Sequence, residues 1–147
     1  MREIKFRAMT KPPEDFGPYR FTSKMVYGTG FLKDPINTWL VSSKDYEAIA
    51  FGTVKKIIKP ETIEQYTGLK DKNGKDIFEG DVVKLCRSLG YQSSLGDIGK
   101  VEYDESELGY IIDGGYPLSK LTSARAKYIE IIGNIHDNPE LLRTKNE

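Results

Sequence analysis

The sequence predicts a single, mostly β domain with short helices, and three observations carry that expectation. Short apolar runs recur with turn signals between them, at roughly the 8–12-residue spacing of sandwiches and barrels. Two segments, residues 3–8 and 129–135, alternate apolar and polar or small residues with the period of a half-buried strand. Between them lies Asn73-Gly74, flanked by strand-like residues, which is the strongest short-range hairpin signal a sequence carries.

The elements follow in order. Ile4, Phe6 and Ala8 fall on one face of the opening strand, and Glu3, Lys5 and Arg7 on the other. Lys11-Pro12-Pro13-Glu14-Asp15 ends it, because proline cannot donate to a ladder. A second strand covers residues 23–28, Gly28-Thr29-Gly30 bends the chain, and Asp34-Pro35 marks a turn. Trp39-Leu40-Val41 reads as a strand; residues 48–51 fit a strand or the start of a helix; residues 54–59 read as a basic-flanked strand. Residues 60–65 suggest one helical turn, with Thr62 and Gln65 at capping-box spacing.

Residues 65–84 organise the rest. Asn73-Gly74 predicts a type I′ turn, with Leu69 and Asp71 facing Lys75 and Ile77. The Glu79-Gly80-Asp81 corner then feeds the β-branched run Val82-Val83. Gly68 and Gly80 suit turn conformations that a Cβ would strain, and the Asp81 carboxylate is placed to hydrogen-bond the turn behind it. Tyr66, Gly68, Asn73, Gly74, Gly80 and Asp81 are thus first of all structural. Residues 90–99 read as a Ser- and Gly-rich loop, 99–103 as a strand, and Tyr110-Ile111-Ile112 as its hairpin partner. Leu118 and Leu121 suit a short helix through Ala126, residues 129–135 form the last strand, and Asn138-Pro139-Glu140 starts a final turn. This order predicts a small SH3-like barrel in the C-terminal half, extended by N-terminal strands. The expected layout is one domain over 1–147, with N-terminal strands at 1–59, a barrel-like core at 60–142 and a tail at 143–147.

The run Gln65-Tyr66-Thr67-Gly68-Leu69-Lys70-Asp71-Lys72-Asn73-Gly74-Lys75-Asp76-Ile77-Phe78-Glu79-Gly80-Asp81-Val82-Val83-Lys84 resembles the signature of the YopX family, small proteins of phages and prophages of Gram-positive bacteria. The opening Met1-Arg2-Glu3-Ile4-Lys5-Phe6-Arg7-Ala8 and the closing block at 131–142, with Gly133-Asn134-Ile135-His136-Asp137-Asn138-Pro139, are similar to the same family. The chain departs from it at Met9-Thr10, where the family often has Trp-Asp, and at Met25-Val26-Tyr27-Gly28, where it often has Trp-Val-Tyr-Gly. The resemblance implies a mostly β protein of phage origin and assigns it no activity.

Composition narrows the function classes. At 147 residues the chain is one domain by length, large enough to bury about two-thirds of its unfolded surface. Acidic and basic residues balance at 22 each, which weighs against a dedicated nucleic-acid binder while leaving room for a basic patch. Cys86 is the single cysteine, which suits a reducing interior, and no apolar run reaches the ~20 residues of a bilayer span. Charges break up the N-terminus where a signal peptide needs an apolar stretch. The expectation is a cytoplasmic protein with no membrane partner; that the cell is a bacterial host is what the resemblance implies.

Catalytic and metal motifs fail on spacing. A phosphate loop needs four residues between its glycines, but five separate Gly68 from Gly74, and Asp76 stands where Ser or Thr belongs. A calcium loop from Asp71 would place Lys75 among the ligands, Asp76 at the obligatory glycine and Val82 at the bidentate glutamate. His136 lies at a strand–helix junction beside Asp137, without a nucleophile at compatible spacing, and reads as a surface histidine. Cys86 reads as a small buried hydrophobe, and one Cys with one His makes no zinc site. The carboxylates at 104, 105 and 107, and at 76, 79 and 81, read as solvated turns. The expectation is no catalytic residue, no metal and no cofactor.

Binding is the stronger reading. Lys70, Lys72 and Lys75 project from one hairpin, Lys55, Lys56 and Lys59 line another segment, and Tyr66, Phe78 and Tyr103 offer aromatic faces. Together they would suit a nucleic-acid-binding accessory protein. The interleaved Asp71 and Asp76 cancel much of that field, so another protein, or self-association into a homo-oligomer through an uncovered strand edge, is the more economical partner; the resemblance implies that such a protein is of host or phage. Lys5 and Arg7 read as protection of such an edge.

Overall fold

The computed structural model describes residues 3–10, 25–33, 38–41, 57–86, 97–114 and 119–145. The break at 11–15, the turn at Asp34-Pro35, the run at 48–51, Lys55, Lys56, Leu118 and most of the Ser/Gly loop lie outside the described residues. The protein is mostly β. It divides into two compact units, Met1–Gln65 and Tyr66–Glu147.

The first unit holds β1 (Phe6–Met9), β2 (Met25–Gly28), β3 (Gly30–Lys33), β4 (Thr38–Val41), β5 (Ile57–Ile58), a 3-10 turn (Pro60–Thr62) and the start of β6 (Glu64–Lys70). Strand β1 is flanked on both sides: Phe6 stands opposite Gly28 of β2 and opposite Gln65 of β6. This corrects the expected alternation. Arg7, Ala8 and Met9 are all buried, while Ile4 is exposed. Arg7 therefore does not guard an edge. Its Nε donates to Glu64 Oε2 at 2.6 Å, and the pairing makes its burial tolerable. The β3-β4-β5 ladder forms a separate sheet, and Ala8 and Ile58 centre a small core with Phe6, Val26 and Ile63 packed on it.

The helical turn expected over 60–65 is also shorter. Pro60 starts a 3-10 turn, but Ile63 is extended and Glu64 and Gln65 already belong to β6. Thr62 does not cap Gln65. Its hydroxyl accepts from the Met9 amide at 2.9 Å and donates to the Lys59 carbonyl at 2.7 Å, fastening the turn to β1.

The second unit holds the remainder of β6, β7 (Asp76–Phe78), β8 (Asp81–Leu85), β9 (Ile98–Asp104), β10 (Gly109–Asp113), β11 (Ser119–Lys120), a one-turn helix α1 (Ser123–Ala126), β12 (Ile129–Asn134) and a final 3-10 helix (Pro139–Lys145). Thr122 caps α1, its hydroxyl accepting from the Arg125 amide. The strands order as β11-β10-β9-β8-β12, all antiparallel, so the last strand returns to pair with the first. That return is consistent with a small β barrel. Ile77, Val83, Val101, Leu121, Ala126 and Ile129 form the buried centre. The final turn starts at Pro139 as expected and runs on through Lys145.

Candidate functional site

The lysine hairpin is built around Asp71. The Gly74 amide donates to the Asp71 carbonyl at 3.0 Å, and the Asp71 amide donates to the Lys75 carbonyl at 2.9 Å. Gly74 sits at φ +80, whereas Asn73 keeps a negative φ, since Leu108 is the only non-glycine at positive φ among the described residues. The turn is therefore a type I turn closed by a left-handed glycine, not the type I′ turn that Asn73-Gly74 predicts. The cause is the Asp71 carboxylate. Its Oδ1 accepts from the amides of Asn73 (2.8 Å) and Lys75 (3.0 Å), which fixes the first two turn residues in right-handed conformation.

Internal partners hold two of the three hairpin lysines. Lys70 pairs with Asp76. Lys72 Nζ lies 2.6 Å from Glu130 Oε2 on β12, and that bond raises the Lys72 pKa and lowers that of Glu130. Lys75 is exposed at the tip. Cys86, expected in the core, is instead half-buried just after β8, with Sγ 3.7 Å from both the Lys84 carbonyl and Glu130 Oε2.

The aromatic faces separate. Tyr66 and Phe78 are both buried and pack on one another with centroids 5.5 Å apart, which removes them from any stacked base. Tyr103 is 48% exposed and meets Tyr110 edge-on at 5.5 Å. The glycines sit where a Cβ would strain the backbone. Gly68, at φ +86, occupies the register shift between Tyr66 and Lys70. Gly80, at φ +79, donates to the Val101 carbonyl and accepts from the Ile135 amide. Beside it, the buried Asp81 accepts from the Phe78 amide at 2.8 Å.

The carboxylate clusters have structural duties as well. Asp76 faces Lys70, and Asp81 holds its turn. Asp104 accepts from the Ser106 hydroxyl at 2.5 Å and the Glu107 amide at 2.8 Å, and these bonds lower its pKa. Asp137 accepts from the Asn134 side-chain amide, while the His136 amide donates to Asn134 Oδ1. Among the described residues no group of His, Cys, Asp and Glu could hold a metal ion, and no helix is long and apolar enough to cross a membrane.

Two residues escaped the sequence reading. Asp71 was legible as the first residue of Asp-Lys-Asn-Gly, a pattern in which an aspartate closes a turn on itself. Leu108 was legible as an apolar residue stranded in an acidic turn. It is 80% exposed, at φ +49, on the hairpin joining β9 and β10.

The family model described as YopX protein matches residues 20–143. The chain belongs to the YopX family. The YopX match takes in the Asp71 hairpin, the Gly80-Asp81 corner, the β9–β10 hairpin and β12; the opening block at 1–8 precedes it. Among solved structures, this YopX chain is similar to protein EF1440 from Enterococcus faecalis, with 23% identity over 95% of this chain and 97% of that one, at a TM-score of 0.45. No curated protein matches the chain.

Proposed function

We propose that this YopX chain is a non-enzymatic binding protein that engages another protein, of host or phage, in the bacterial cytoplasm during a phage or prophage cycle. The observation that carries the reading is the distribution of charge and apolar surface. Lys70 and Lys72 are paired with Asp76 and Glu130, and Tyr66 and Phe78 are buried, which leaves Lys75 of the hairpin cations and Tyr103 of the three rings to meet a nucleic acid. Tyr103 and Leu108 instead stand exposed on one hairpin. Aromatic and apolar side chains presented on a hairpin suit a protein surface better than a polyanion.

The second unit supports an SH3-like reading of the scaffold. A meander of four strands, a one-turn helix and a fifth strand returning to the first is the connectivity such a barrel needs.

A tagged pull-down from host lysate, with and without nuclease and followed by mass spectrometry, tests the function. A stoichiometric protein retained after nuclease is the expected result. Recovered nucleic acid, with proteins lost on nuclease treatment, would return the function to the lysine hairpin.

A further inference from the structure

The turn between β9 and β10 combines features that the fold itself does not require. Leu108 is a large apolar residue almost fully in water, held in the left-handed region that glycine, asparagine and aspartate adopt with less strain. Neither solvation nor backbone geometry favours leucine there. Tyr103, near the other end of the turn, is half-exposed and kept in place by its edge-on contact with Tyr110. The turn is built in advance. Asp104 fastens it through Ser106 and the Glu107 amide, and Lys120 Nζ donates to the Glu107 carbonyl from β11. The same turn carries the carboxylates of Asp104, Glu105 and Glu107, three negative charges that the ammonium of Lys120 offsets only in part.

We infer that this hairpin tip is the docking element of the protein, and that it receives a basic polypeptide segment carrying apolar side chains. The inference rests on the protein-binding reading above. The occupant follows from charge and shape. An acidic rim attracts lysine and arginine, Tyr103 offers a ring face to a guanidinium, and Leu108 is a ready apolar anchor. Nucleic acid is repelled by the same rim. A preformed turn also limits the ordering cost of binding, which favours a short segment as ligand.

The test uses the full chain, immobilised and panned against a displayed random-peptide library, with enriched peptides then synthesised. The expected peptides carry Lys or Arg beside apolar residues. Their binding weakens with salt, and it falls by about tenfold or more for Leu108→Gly and for Glu105→Lys/Glu107→Lys. Leu108→Gly should melt no lower than the parent, because glycine relieves the backbone, so lost binding cannot be ascribed to unfolding. Amide exchange over residues 103–109 should slow on binding. Peptides that bind Leu108→Gly as well as the parent would overturn this site while leaving a protein-binding function intact. No peptide bound by the parent, or binding of a labelled oligonucleotide instead, would overturn both.

Discussion

Oδ2 of Asp71 accepts the Ile131 amide at 3.1 Å, so one carboxylate closes the β6–β7 turn and also fastens it to β12. The neighbouring Lys72 amide donates to the Ile129 carbonyl at 3.0 Å. The hairpin tip thereby covers the outer side of β12, which ends the strand order of its sheet. A row of open amides and carbonyls there would template pairing with another chain.

Asp71→Ala removes the acceptor for three amides, and the expected loss is about 3 kcal/mol of unfolding free energy. Asp71→Asn keeps one oxygen for the turn but presents its amide to Ile131 N–H, so about 1–2 kcal/mol is expected. Urea denaturation measures both. In each variant the Ile131 amide should exchange faster, and an unchanged rate would remove the clamp.

Arg7 and Glu64 are side by side and almost wholly buried. Arg7→Met alone leaves an uncompensated carboxylate and should cost about 3–5 kcal/mol. Adding Glu64→Leu should recover most of that loss, because two apolar groups replace two desolvated charges. A double-mutant cycle by thermal melting reads the coupling; additive effects would argue that the pair is not formed.

Gly80→Ala should destabilise more than Gly74→Ala. Both residues have φ near +80, but Gly80 is buried between two backbone hydrogen bonds, while nothing lies within 4 Å of a Cβ added at Gly74. The expected costs are about 2 and about 1 kcal/mol. Gly74→Asn should recover part of the smaller loss, because asparagine tolerates the left-handed region. Melting temperatures decide the order.

Lys72 and Glu130 predict a two-sided pH dependence. The Glu130 pKa is lowered by Lys72, so its contribution is present above the ordinary glutamate range and is lost as pH falls through the lowered value. The Lys72 pKa is raised by Glu130, so its contribution is complete below the ordinary lysine value and is lost as pH rises through the raised one. Lys72 is exposed and Glu130 only half-buried, so the effect is small and screened by salt. In Lys72→Met the Glu130 carboxyl, followed by NMR, should titrate at higher pH than in the parent. An unmoved midpoint would sink the pair.

Much of the second unit was legible because its signals are local. The Gly80-Asp81 corner, the glycine turns and the strands near 99–103, 110–112 and 129–135 each follow from a few adjacent residues. What escaped depends on partners distant in sequence. Arg7 reads as solvent-facing until Glu64 arrives beside it, and Thr62 reads as a helix cap until Met9 needs an acceptor. Lys72 reads as a free cation until Glu130 meets it. Charged and hydroxyl side chains carry no periodicity that reveals such pairings. The exposed Leu108 is the reverse case, visible in its own five-residue neighbourhood but contrary to what a turn prefers.

The return of β12 to β8 has a consequence for how the chain is made. During synthesis β8 to β11 leave the ribosome before β12 exists, so β8 waits with one flank open and Asp71 waits without its amide from Ile131. The second unit can close only when its last strand emerges. Until then that flank must be kept from neighbouring nascent chains by speed or by chaperones.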